Sequence, residues 1–83
     1  MQQKPNKFTT SDIKIASYLL SNKLALIGVD RTDSRKIIFE FSNTQEVKNF
    51  IQQYLSDQAT VNPRALFISW NHLKEIIYQD FEI

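Results

Sequence analysis

Apolar positions recur along the chain with two different periods, and each change of period marks an element. Between Asp12 and Asn22, Ile13, Ala16 and Leu20 fall on one side of a helical repeat with Leu19 beside them, which predicts a first helix. Thr9, Ser11 or Asp12 is its expected cap, because each can accept from an orphan backbone N–H, and Asn22 is its expected stop. Leu24 to Arg31 (LALIGVDR) and Lys36 to Phe41 (KIIFEF) then read as strands, with Thr32-Asp33-Ser34 as the turn between them. A second helix follows to about Ser56. Val47, Phe50, Ile51, Tyr54 and Leu55 supply its apolar face, with Ser42 or Asn43 as cap and Glu46 in capping-box spacing. Asn62-Pro63 opens a third helix, Asn as cap and Pro at the first helical position, which runs to about Tyr78. Leu66, Trp70, Leu73 and Ile77 form its stripe, widened by Phe67, Ile76 and Tyr78.

Parity fixes an expected register for the two strands, since a one-residue slip exchanges their faces. Pairing Val29 with Ile37, Ile27 with Phe39 and Ala25 with Phe41 makes one face wholly apolar. The other face then pairs Asp30 with Lys36 and carries Leu26, Gly28 and Ile38. A two-stranded hairpin is marginal alone. Those three residues therefore need a cover: the segment near Phe8 as a further strand, a helix, or a second copy of the chain.

The expected fold is α+β and two-layered, with three helices on an antiparallel hairpin in the order α-β-β-α-α and a short third strand near Phe8 as an optional extension. Residues 1–7 read as a polar arm, 8–79 as one domain and 80–83 as a tail. The expected core is Ile13, Ala16, Leu20, Ile27, Val29, Ile37, Phe39, Phe41, Val47, Phe50, Ile51, Tyr54, Leu66, Trp70, Leu73 and Ile77.

Composition narrows the function more than it names it. With 83 residues, the chain is long enough for one domain. A domain of that size buries only about 60–65% of the surface of its unfolded chain, so stability is expected to be modest or helped by a partner. There is no cysteine, which removes disulfides, thiolate chemistry and cysteine-based zinc sites. That absence and a polar amino end make a cytoplasmic location the expectation, and the apolar runs are too short to span a membrane. Net charge is +1, so no global field draws the chain to nucleic acid.

The motifs KFTTSD at 7–12, A-x-Y-L-L from Ala16 to Leu20, LIGV at 26–29, FEF at 39–41, VNPR at 61–64 and LK at 73–74 occur in an order and spacing that resemble a known family. It is a set of short bacterial, archaeal and phage proteins classed as a domain of unknown function, and the resemblance spans about residues 7–78. The family's pattern often has an acid where Asn62 stands here; both residue types cap helices. The resemblance implies no activity and no catalytic residue, and it suggests nucleic-acid business in phages or mobile elements only by association.

Enzymatic readings find little support. His72 is the one histidine and falls inside the last helix, without a nominated nucleophile. Asp30, Asp33 and Glu40 lie on or near the hairpin, but Glu40 is followed by Phe41 and Ser42 rather than by the lysine many nuclease cores place there. Gly28, the single glycine, sits mid-strand, which argues against a phosphate-cradling loop and for a large side chain lying over it. No catalytic residue, metal site, cofactor or small-molecule substrate is expected.

Two binding readings remain. In the first, a non-catalytic module serves phage or mobile-element nucleic-acid handling, as partner of nucleic acid or of a processing complex. Arg31, Arg35 and Lys36 would contact phosphate at the hairpin tip, with Lys4 and Lys7 on the arm and Arg64 at a helix start. In the alternative, the domain is a protein–protein adaptor or homodimer using Leu26, Gly28 and Ile38.

Overall fold

A computed structural model describes residues 7–33 and 35–79. The domain is α+β, with three helices and a three-stranded antiparallel sheet. In chain order the elements are β1 (Lys7–Thr10), α1 (Ile13–Ser21), β2 (Leu26–Asp33), β3 (Lys36–Ser42), α2 (Gln45–Leu55) and α3 (Pro63–Gln79). The optional strand near Phe8 forms, so the order begins with a strand. It pairs with β3 rather than β2, giving the sheet order β1-β3-β2. Of the expected arm over residues 1–7, Lys7 belongs to β1, while residues 1–6 with Lys4 lie outside the described residues, as do Ser34 of the expected turn and the expected tail at 80–83.

Each helix starts on an acceptor supplied by the residue before it. The Asp12 carboxylate accepts from the Lys14 N–H at 2.8 Å, and the Asn62 side chain accepts from the Ala65 N–H at 3.0 Å. For α2 the cap is Thr44, which accepts from the Val47 N–H at 3.2 Å, not Ser42 or Asn43. Ser42 is retained by β3 as the partner of Lys7. The first two helices end alike. After α1, Lys23 turns left-handed at φ 70°, its N–H reaches the Leu20 carbonyl at 3.0 Å and that of Leu24 reaches Leu19 at 3.2 Å. After α2, Asp57 at φ 61° does the same, with Asp57 N–H on Tyr54 and Gln58 N–H on Gln53. Both are Schellman closures. At the first, Leu19 and Leu24 are both buried, which supplies the apolar contact that accompanies the motif.

The hairpin register differs from expectation by two residues at its centre. Val29 faces Phe39, Gly28 faces Glu40 and Asp30 faces Ile38. A two-residue shift preserves parity, so Val29, Ile37, Phe39 and Phe41 still turn to the core. Two irregularities step the register along the hairpin, one between Leu26 and Gly28 and one between Asp30 and Asp33, so that the offset grows toward the turn. At the first, Leu26 pairs with Phe41 and packs against the core, while Ile27 becomes the extra residue and is 50% exposed. Ile27 is therefore not core. At the second, the Asp30 carboxylate accepts from the Thr32 N–H and hydroxyl at 2.8 and 2.6 Å instead of pairing with Lys36. Lys36 faces Asp33, and β2 runs on through Thr32 and Asp33, which the sequence reading placed in the turn.

Phe39, Phe41, Ala16, Tyr18, Leu19, Leu24, Val47 and Leu73 are the buried apolar residues among those described. Tyr18, Leu19 and Leu24 were missing from the expected core. Tyr18 stands edge-on to Phe50 with ring centres 5.9 Å apart, and 5.5 Å from Tyr54, which ties α1 to α2. α1 makes its broadest contact with α3. Leu66 and Trp70 are half-buried.

Candidate functional site

The basic residues expected to gather at the hairpin tip are placed in different surroundings. Arg31 lies on the core side of β2. Its Nη2 donates to the Ile76 carbonyl at 2.9 Å, one of the last four carbonyls of α3, which have no partner within the helix. A cation there also complements the negative end of the helix dipole. Arg35 follows the turn with its side chain 91% exposed, its N–H on Asp33 Oδ1 at 2.9 Å and its Nε 3.9 Å from the same oxygen. Lys36 beside it is exposed. Lys7 sits at the far end of β3, opposite Ser42. Arg64 occupies the first turn of α3, whereas Arg31 serves its last. Arg35 and Lys36 are brought together; Lys7, Arg31 and Arg64 are not.

The sheet face away from the core carries Lys7 and Thr9 from β1, Gly28 and Asp30 from β2, and Ile38 and Glu40 from β3. Leu26 is not among them, having turned inward. Glu40 lies across Gly28 so closely that a Cβ there would stand 2.5 Å from Glu40 Oε1. The side chain expected over the glycine is thus this carboxylate, only 17% exposed and 3.3 Å from Lys7 Nζ. Hydrogen bonds from Thr32 hold the Asp30 carboxyl below the usual aspartate pKa.

α3 turns a second apolar surface outward. Phe67 is 64% exposed, Ile68 60% and Tyr78 58%. The sequence reading placed Phe67 and Tyr78 in a widened core stripe. Each lies one residue, about 100° of helix, from the Leu66–Trp70–Leu73–Ile77 line, and that angle is the signal that separates them. Eleven positions divide Phe67 from Tyr78, about three full turns, so the two rings share one stripe.

The sequence profile of a domain of unknown function, DUF5659, matches residues 5–79, which takes in every element of the fold. The chain belongs to the DUF5659 family. No curated protein and no solved structure matches it. Among the described residues of this DUF5659 domain, no three acidic or histidine side chains are grouped to hold a metal ion, and no helix is long and apolar enough to cross a membrane. His72 is exposed on α3, one turn after Ile68.

Proposed function

We propose that this domain is a non-catalytic interaction module that pairs with a second copy of itself through the outward stripe of α3. The observation that carries this reading is the exposure of Phe67, Ile68 and Tyr78 on one helix of 17 residues, because exposed apolar patches of this kind mark interfaces. The spacing favours a second copy as the partner. A two-fold axis beside His72 and Leu73 sets two α3 helices antiparallel, so that Phe67 of each meets Tyr78 of the other and Asn71 meets Lys74. In this reading the helices form one layer on the sheet, and α3 is the outermost surface of that layer. Sedimentation equilibrium tests the proposal: the wild-type chain forms a dimer whose population rises with concentration, and Phe67→Glu or Tyr78→Glu gives a monomer with unchanged circular dichroism. A wild-type chain that stays monomeric at millimolar concentration rejects it.

A second reading rests on Arg35 and Lys36, adjacent and exposed at the end of the hairpin. There the domain contacts nucleic-acid phosphate as an accessory factor of phages or mobile elements. Affinity for a duplex then falls steeply with salt, and Arg35→Ala with Lys36→Ala flattens that dependence; no gel shift at low salt ends this reading.

A further inference from the structure

A cavity of about 300 Å³ opens where α1, the end of α2, the following loop and the first half of α3 meet. Tyr18, Tyr54, Val61, Leu66 and Trp70 line it, and the surface they present there is almost wholly apolar. Leu73 and Ile77, further along the inward line of α3, belong to the core. Leu66 and Trp70 on the same line are half-buried and end at the cavity instead. Tyr54 and Val61, on the facing wall, pack against the core. The cavity is thus a gap in the packing of α3 against α1 and α2, and close-packed interiors leave few voids larger than a water molecule.

The polar groups nearest the lining are sealed off or turned to solvent. The Tyr18 hydroxyl lies behind the wall, closed to a molecule even of the size of water. The Lys14 side chain is 64% exposed, with its Nζ 3.9 Å from Asp12 Oδ1, so Lys14 adds its methylene stem to the lining and keeps its charge outside. A charged occupant would lose hydration on entry and find no partner within, and one rich in hydroxyls or amides would fare the same way. Three of the lining side chains are aromatic, and a ring set against them is attracted beyond the effect of its buried area.

We infer that this cavity binds a neutral, apolar small molecule built on a ring. Apolar cavities of about 150 Å³ take up benzene. At about 300 Å³, this one holds a ring with a short alkyl substituent, or two fused rings, and it stands at the lower end of the range for small-molecule sites. The occupant completes the layer between Leu66 and Trp70 on one side and Tyr18 and Tyr54 on the other. The site uses none of Phe67, Ile68 and Tyr78, so it persists whether or not α3 pairs with a second copy.

Trp70 is the chain's one tryptophan, so its fluorescence reports on this wall. The full chain is titrated with ethylbenzene, phenylacetate and benzylamine, which share a ring and a methylene and end in a methyl, a carboxylate and an ammonium. Ethylbenzene shifts Trp70 emission saturably and raises the unfolding midpoint. Both charged probes bind at least about tenfold more weakly, since their end groups gain nothing inside for the water they lose. Ala59→Phe, which fills the cavity from the loop, removes the ethylbenzene response in a chain that still unfolds cooperatively. The wild-type comparison needs no variant: no saturable response to ethylbenzene, or a charged probe that binds as tightly, overturns the inference. Undiminished ethylbenzene binding by folded Ala59→Phe overturns it too.

Discussion

Lys23 holds a left-handed conformation at φ 70°, which disfavours an L residue by about 1–2 kcal/mol. The conformation persists because the two hydrogen bonds of the α1 closure and the buried Leu19–Leu24 contact depend on it. Glycine adopts the same angles without that penalty but gives up more entropy on folding. Lys23→Gly should therefore raise stability by a net amount of about 0.5–1 kcal/mol, read as a higher urea midpoint at unchanged slope. Asp57→Gly should gain less, because aspartate tolerates the left-handed region better than lysine. A second residue-scale effect depends on pH. Hydrogen bonds from the Thr32 hydroxyl and N–H lower the Asp30 pKa from its ordinary 3.8. The folded state then holds its proton less tightly than the unfolded state does. The contribution is present above about pH 4 and is lost as pH falls through the lower, folded value. Asp30→Asn should flatten the fall of stability with acid in that window, measured as unfolding midpoints from pH 5 to pH 2; an unchanged slope would mean that Thr32 does not hold this carboxylate.

At the scale of elements, the helices were legible because caps and apolar period act locally. Asn62 and Pro63 marked the start of α3 where the structure has it, and Asp12 was one of three residues, with Thr9 and Ser11, expected to cap α1. At α2 the chemistry of the cap was right and the residue wrong, since Ser42, Asn43 and Thr44 are all competent acceptors and only the demand of β3 for Ser42 shortens the choice. The hairpin was legible in parity and not in register. Nothing in alternation reveals that Asp30 closes on Thr32 and Asp33 on Arg35, and those local turns set where the strands align. Ile27 then leaves the core and Leu26 enters it, an exchange of neighbours that an unbroken alternation excludes. Arg31 shows what this hides. Read as a tip residue it suggested phosphate; on the observed strand it reaches the last turn of α3 and fastens β2 to that helix. Arg31→Met should cost about 1.5–3 kcal/mol, the range for hydrogen bonds to charged groups, and speed hydrogen exchange of the last turn of α3. Arg31→Lys should restore part of the loss through the dipole alone. Unchanged exchange in Arg31→Met would show that the helix end does not need this bond.

At the scale of the whole molecule, the question is how a chain of this size remains folded while turning Phe67, Ile68 and Tyr78 to solvent. Few apolar side chains are fully buried among the described residues, and small domains have little stability in reserve. Self-association is one answer, and it carries a thermodynamic signature independent of hydrodynamics. If α3 pairs, the dimer is the folded species and two unfolded chains are released per event, so the melting temperature must depend on protein concentration. A tenfold rise in concentration stabilises the dimer by about 1.4 kcal/mol. Over the combined length of two chains, that moves the midpoint by about 3–5 °C. Phe67→Glu should melt at a temperature that no longer varies with concentration. It should also lie below the wild type by a margin that grows as the wild type is concentrated, because mass action acts on only one of the two proteins. If both chains melt at concentration-independent temperatures, the outward stripe of α3 contributes nothing through a second copy.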